Sequence, residues 1–558
     1  MAAREAAPRA TDHSAGFGAS HFLARHVHKG RTSSRQDHEA PPDIDVPASR
    51  GRPQDEAPTA SMRLKNRRRF SGPMDEGIAG LANAGLPEPY AGSGSTAKRT
   101  PMLTRLKVEG FKSLLDVDIH FGPFTCIAGM NAVGKSNLFD AIRFLHLLTR
   151  HPIMEAVKLL RETKGRSSDP RSLFTAFEDF RSPEMRFTAE MIVAREAEDE
   201  LGVTGKAAIS TLQYTLAFQL SAEDDGRLEL LHESLKPIKV SESSKNLGFE
   251  TSKDFRDSAI QGVRRGGAFI DTAPETREIT VHQEGHGGRK IPAPKSSRTV
   301  VGGSASSDFP TVLAAHREME SWHTLLLEPS AMRAPSIYGD SRFIDQRGAN
   351  LPATLQRLAR LEKTPGKTYA QLANKLAHLL EDVRELRVRD DPKTETLTVE
   401  LRGRDDVFHP ARALSDGTLR FLILATLALD PETRGVICLE EPENGIHPDR
   451  IPAMVSLLRD IAVDPTGAIG QDNPLRQVIV NTHSPIVFES IDSNELVFLE
   501  SVEAIRGDAR GKVTIPHIPG GSWRHRLSEK SAKLAPGKLY PYLGKQGSFD
   551  FITEPPKP

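Results

Sequence analysis

The stretch Gly129-Met-Asn-Ala-Val-Gly134-Lys135-Ser136 constrains this chain more than any other, because Gly-x4-Gly-Lys-Ser functions only between a strand and a helix. That context is present. Pro123-Phe-Thr-Cys-Ile-Ala128 upstream is a short apolar, partly β-branched run, and downstream Leu138, Ile142 and Leu145 fall on one helical face. The glycines allow a tight turn that aims backbone N–H groups and a helix N-terminus at phosphates. Lys135 is spaced to reach β- and γ-phosphates, and Ser136 to ligate Mg²⁺.

Three downstream segments fit the same chemistry. Arg434-Gly-Val-Ile-Cys-Leu-Glu440-Glu441-Pro442 reads as an apolar strand ending in two carboxylates, Glu440 for a metal shell and Glu441 to polarise an attacking water. Taken alone, such a pair is more often two surface acids closing a strand; the phosphate loop reverses that preference. Leu414-Ser415-Asp416-Gly417-Thr418 precedes the apolar run 419–429, which is too short to cross a bilayer and reads as a buried helix. Its start offers an anion site at Ser415 and the N–H of Gly417, or simply an N-cap. Gln477-Val-Ile-Val-Asn-Thr482 runs into His483-Ser484-Pro485. A lone histidine is usually structural, but one beyond a buried parallel strand stands where open α/β sheets bind ligands and can donate to a γ-phosphate.

The set GMNAVGKSN, LSDGT, VICLEEPENGIHP and VIVNTHSP, together with LTRLKVEGFKS at 103–113, resembles the ABC-type ATPase heads of the SMC, RecF and OLD-like group. It looks most like the stand-alone AAA-type ATPases of bacterial defence systems. The resemblance covers 102–160 and 345–500 and implies an α/β P-loop NTPase head of ABC type with a flanking antiparallel β-sheet and a helical or irregular insertion. It further implies ATP as substrate and Mg²⁺ as cofactor. Gly129, Asn131, Gly134, Lys135, Ser136 and Asn137 then bind ATP, and Ser136 and Glu440 hold the metal. Glu441 and His483, with Lys135, carry catalysis. Ser415, Asp416 and Gly417 match the signature that completes the site of an opposite protomer, and Asn444-Gly-Ile-His447-Pro448 matches the loop crossing the interface. A head-to-tail homodimer sharing two ATPs is the implied active form.

One departure stands out: no water-placing glutamine is assigned between Leu160 and Gln213, so either another residue does this job or coupling to the arm differs, and slow hydrolysis is compatible with both. OLD-type relatives carry a nuclease domain after the switch histidine, for which the about seventy-five residues following His483 leave no room. By analogy the expected role is an ATP-gated dimeric switch in DNA repair or phage defence, with DNA and a separately encoded effector protein as candidate partners. The alternative is an ATP-bound sensor or scaffold with little turnover that controls such an effector. A nuclease hidden within 238–345 is a further rival, but no carboxylate cluster there supports it.

Composition narrows the class only weakly. With 74 basic and 74 acidic residues among 558, no global field draws the chain to nucleic acid. Cys126 and Cys438 fall in predicted core strands without metal-ligand spacing, which fits small buried apolar residues in a reducing cytoplasm. No transmembrane run and no membrane partner are expected, and the amino terminus lacks the apolar core of a secretory signal.

The expected organisation is a tail over 1–101, a first ATPase lobe over 102–237, an insertion over 238–345, a second lobe over 346–520 and a tail over 521–558. The first tail is rich in Ala, Gly, Pro, Ser and Arg and reads as disordered, or as a mis-assigned start before Met102 that intact-mass analysis of the native protein checks. Its cluster Arg63, Lys65 and Arg67–Arg69 reads as a solvated charge run. Segments 185–194, 211–220 and 227–235 alternate as three antiparallel strands, and the polar, Gly/Ser-rich stretch 238–308, interrupted by 277–282, reads as an extended hairpin or a mobile insertion. His282 and His286 have helical metal spacing, but Gly285, Gly287 and Gly288 oppose a helix. Helices are predicted over 311–327 and 350–386, as a shortened counterpart of the family's coiled-coil arm. Arg384, Arg387 and Arg389 are expected to pair with Glu381, Asp382 and Asp390 rather than to face nucleic acid.

Overall fold

The computed structural model describes residues 102–160, 169–222, 226–262, 267–283, 286–361, 366–380, 383–470, 472–527 and 532–533. The amino-terminal tail with its basic cluster, Glu381, Asp382 and most of the carboxyl-terminal tail lie outside the described residues, as does 161–168, part of the stretch searched for a glutamine.

Phe124–Ala128, Gly435–Glu440 and Arg476–Thr482 are buried at nearly every residue, which suits the centre of a parallel sheet covered on both faces; among the described residues seven strands make up that sheet. They assemble in the order His323–Leu325, Gly435–Glu440, Arg476–Thr482, Phe124–Ala128, Leu496–Arg506, Ala509–Ile518 and Ala532–Lys533. The first five are parallel, and Ala509–Ile518 returns antiparallel on its neighbour. The period-2 alternation of a strand divides their side chains between two cores. Ile127, Val436, Cys438, Ile479, Val497 and Leu499 enter one core, which also takes Leu138, Ile142 and Leu145 of the helix Lys135–Arg150. Cys126, Ile437, Leu439, Val478, Val480 and Phe498 enter the other, shared with the helices Leu351–Leu361, Lys367–Leu380, Asp416–Leu429 and Ile451–Ile461.

Against the first core lies an eight-stranded antiparallel sheet, in the order His286–Pro292, Glu278–Gln283, Ile270–Thr272, Leu228–Pro237, Thr211–Leu220, Met185–Ile192, Met102–Phe111 and Leu114–His120. It contains the three expected strands. Residues 270–292 extend its edge, with the hairpin Glu278–Gln283/His286–Pro292 outermost. One buried side chain ties the sheets together. Gln477 accepts from the N–H of Leu103 at 3.1 Å and donates to the carbonyls of Leu103 (2.8 Å) and Gly122 (2.9 Å).

The predicted helices need correction. The helix over 311–327 is Pro310–Glu320, and His323–Leu325 leaves it to pair in parallel with Ile437–Leu439. Spacing of Leu313, His316 and Met319 marks a true buried face, but the pattern continues by chance into His323, where pairing at the sheet edge prevails over local periodicity. The segment 350–386 is two helices followed by the strand Glu385–Asp391. Both helices supply residues to the second core and form no projecting arm among the described residues. The arginines do pair, with other acids: Arg384 with Asp406, and Arg387 and Arg389 with Glu400. Asp390 instead accepts from Tyr338 and from Gln356 at 3.3 Å.

Candidate nucleotide site

Register brings three strand ends to one place. Glu440 is aligned with Asn481, Asn481 with Ile127, and Thr482 with Ala128, so the acids, the histidine and the phosphate loop leave the sheet side by side. In open α/β sheets this carboxyl edge is where ligands bind.

The loop turns into its helix through Gly134, at φ 102°, a conformation that side chains with a Cβ resist. A Cβ there would stand 2.2 Å from Thr514 Oγ1 and 2.5 Å from Ser113 Oγ. Those hydroxyls, 2.7 Å apart, back the loop, and Thr514 also donates to the carbonyl of Val133 at 2.8 Å. Asn137 donates its amide to Ser113 Oγ at 2.8 Å, and Asn131 is exposed in the loop.

Lys135 is buried, and its Nζ donates to the carbonyls of Gly129 (2.7 Å) and Met130 (2.8 Å). Burial pushes its pKa below the ordinary lysine value, opposed by the nearby carboxylates of Glu441, Glu443 and Glu440. Ser136 Oγ donates to Glu440 Oε2 at 3.2 Å. Burial raises the pKa of Glu440; the hydrogen bond from Ser136 opposes that push and the Asp140 charge adds to it. A hydroxyl and a carboxylate oxygen side by side are the hard oxygen donors that Mg²⁺ prefers, so the residues present fit that ion.

Glu441 has φ 44°, rare for a residue with a side chain and a mark of local strain. Its N–H donates to Asn481 Oδ1 at 2.9 Å, which holds the turn. Oε1 lies 2.8 Å from His483 Nδ1, and Oε2 accepts from Asn444 at 2.9 Å. Burial pushes its pKa up, but the Asn444 hydrogen bond and the His483 charge outweigh it and hold the carboxyl below the usual range. Lys135, Ser136, Glu440, Glu441 and His483 therefore form one constellation.

The LSDGT residues stand apart from it. Ser415 is the N-cap of Asp416–Leu429, its Oγ accepting from the N–H of Thr418 at 3.1 Å. Asp416 pairs with Arg333. Gly417 lies against the loop after the acids, where a Cβ would meet the Gly445 carbonyl at 2.9 Å. Among the described residues no hydrogen bond or ion pair joins Ser415, Asp416 or Gly417 to the phosphate loop. His447 is exposed and caps the short turn Pro448–Arg450.

Sequence reasoning missed Asn481, Glu443 and Thr514. A polar residue directly after the apolar run 478–480, still within the strand Arg476–Thr482, is a usable signal for Asn481; the other two are marked only by where the fold carries them. Volume is no guide here: a cavity of 910 Å³ opens at the other end of the strands, lined by Phe124, Arg459, Glu495 and Trp523.

Among solved structures the chain is similar to an Smc head bound to the C-winged helix domain of ScpA, at 14% identity and a TM-score of 0.39, covering 74% of this chain and 98% of that one. A Pyrococcus furiosus Smc head domain with an extended coiled coil, bound to the C-terminal domain of ScpA, aligns at 12% identity and TM-score 0.37, covering 74% and 96%. The SMC head domain from Thermotoga maritima gives 14%, 0.32, 74% and 98%. No curated protein matches significantly. Residues 124–489, which run from the strand before the phosphate loop to just past His483, match the family described as "AAA domain, putative AbiEii toxin, Type IV TA system", and the chain belongs to that family, with the α/β P-loop ATPase fold that its motifs imply.

Proposed function

We propose that this chain binds ATP with Mg²⁺ and hydrolyses it by in-line attack of water on the γ-phosphate, and that ATP occupancy switches it between a monomer and a head-to-tail dimer. The observation that carries the reading is the joining of Ser136 to Glu440 and of Glu441 to His483 at one sheet edge beside the phosphate loop.

Each residue has a task that its surroundings suit. Gly129, Gly134 and the helix start present N–H groups to the phosphates, Asn131 and Asn137 flank them, and Lys135 leaves the Gly129 and Met130 carbonyls to meet negative charge. Ser136 and Glu440 hold Mg²⁺, which neutralises charge on the β- and γ-phosphates when bound. Glu441, kept ionised, orients and polarises the water, while His483 holds Glu441 and donates to the γ-phosphate side. In the dimer the helix start at Ser415, Asp416 and Gly417 supplies donors to the partner's ATP, and loop 444–448 crosses between subunits. The family description carries the words "putative AbiEii toxin, Type IV TA system"; a role in phage defence or DNA repair, acting on DNA or through a separate effector protein in the cytoplasm, rests on the resemblance of the motifs to the SMC, RecF and OLD-like group and to defence-system ATPases.

The test is ATP turnover and oligomeric mass measured together, for wild type and Glu441→Gln, with and without DNA. We expect wild-type turnover, its loss in the variant, and a variant dimer that retains ATP. An assembly that responds to ATP while neither protein turns it over would replace this reading by that of a sensor holding an effector.

A further inference from the structure

Between the acids and the dimer loop stands a carboxylate that the reaction scheme does not use. Glu443 is 6% exposed, on a turn that follows Glu441 by two residues. Its Oε1 accepts from the hydroxyl of Thr482, and its Oε2 has no hydrogen-bond partner among the described residues. Burying a carboxylate is costly, and a residue serving shape alone would be cheaper as an apolar or amide side chain.

We propose that Glu443 is a positioning residue for the hydrolytic centre, fixing Thr482 and through it the turn that holds His483 against Glu441. The inference rests on the function proposed above. Thr482 Oγ1 donates to Glu443 and accepts from the N–H of Ser484 at 2.9 Å, so one hydroxyl spans the turn whose middle residue is His483. Thr482 is 1% exposed and aligned in register with Ala128, the residue leading into the phosphate loop. The histidine is thus braced on its main-chain side by Thr482 and on its ring side by Glu441. Remove the carboxylate and the hydroxyl loses its anchor; it is then free to turn toward other acceptors, and the 482–484 turn loosens while the phosphate loop stays as it was.

A second buried ionisable group lies on the helix whose start packs against the loop after Glu443. Arg420, on the helix opened by Ser415, is 5% exposed; its Nη2 donates to the Leu327 carbonyl at 2.9 Å, while Nε and Nη1 have no partner among the described residues. Burial lowers the pKa of Arg420, and the charges of Asp416 and Glu443 oppose that push. Burial likewise raises the pKa of Glu443, a push that the hydrogen bond from Thr482 opposes.

The experiment compares Glu443→Leu, Glu443→Gln, Thr482→Val and Thr482→Ser in the full chain. Readouts are kcat, ATP affinity by a fluorescent ATP analogue, and the His483 imidazole signals in histidine-labelled protein, assigned with His483→Gln. We expect Glu443→Leu and Thr482→Val each to lower kcat by about tenfold to a hundredfold, with ATP affinity within about twofold and the His483 signals shifted. Glu443→Gln, whose amide oxygen can still accept from Thr482, and Thr482→Ser should restore most of kcat and the wild-type signals. The double variant Glu443→Leu/Thr482→Val should be no slower than either single one. An unshifted His483 signal in Glu443→Leu, or loss of ATP affinity in step with kcat, would overturn the proposal. A wild-type protein without turnover would sink the hydrolysis reading instead, and the His483 signals would still decide the positioning one.

Discussion

Ser136 and Glu440 are 304 positions apart in the chain, yet their Oγ and Oε2 atoms lie 3.2 Å from each other, joining the helix after the phosphate loop to the strand that carries the acids. If this pair holds the cation, Glu440→Ala should raise the Mg²⁺ concentration for half-maximal turnover by about tenfold or more, since loss even of a supporting partner of a ligand costs that much. Chelation of the metal should stop wild-type turnover. A variant with an unchanged Mg²⁺ requirement would move the metal site elsewhere.

Gly134→Ala tests the loop itself. At φ 102°, with the new Cβ 2.2 Å from Thr514 Oγ1, the substitution strains the backbone and collides with the hydroxyls that back the loop. We expect a loss of about 1 kcal/mol or more in stability and at least tenfold weaker ATP binding. Thermal unfolding with and without ATP measures both, and an ATP-induced stabilisation equal to wild type would refute the account.

His120 makes the fold sensitive to acid. Burial lowers its pKa to about 4, with the Arg105 charge adding to that push and Asp118 opposing it. Above pH 6.5 the ring is neutral in both states; as pH falls, the unfolded chain takes up a proton that the folded one refuses, so stability is lost until the folded pKa is passed. The loss is on the order of 3 kcal/mol between pH 6.5 and 4. His120→Gln should flatten that part of the stability curve in denaturant titrations; an unchanged slope would show that His120 is not its source.

Cys126 and Cys438 are fully buried in central strands, and burial pushes both thiols well above the usual range. Thiol reagents should leave the native protein unlabelled for hours and modify two cysteines once it is denatured. Rapid labelling of native protein would mean that the sheet opens far more easily than its packing implies.

The strands at the site could be read before the fold was known because each is short, apolar and closed by a residue type with evident chemistry: Ala128 before glycine, Glu440 before a second acid, Thr482 before histidine. Patterns that depend on remote partners were harder. His323 continued a helical spacing and belongs to a sheet edge, because strand pairing with Ile437 is a tertiary fact. Glu400 sits on its strand like any alternating residue, and nothing nearby announces that it receives two arginines. Asn444 lies in the stretch that resembles an interface loop, and nothing in the sequence announces that its amide also holds Glu441. What the sequence conveys well is local periodicity with terminal chemistry; what it conveys poorly is which distant side chain completes a hydrogen bond.

The placement of Phe124–Ala128 between Arg476–Thr482 and Leu496–Arg506, with Gln477 reaching Leu103 across 374 positions, has a consequence during translation. The strand that leads into the phosphate loop is made early but gains its neighbours only after residue 498 has left the ribosome. Until then an apolar segment and a glycine loop wait without a sheet, exposed to aggregation and to chaperones. A nascent or truncated chain ending before Glu440 thus carries the phosphate loop's sequence without the strands that flank it in the finished sheet.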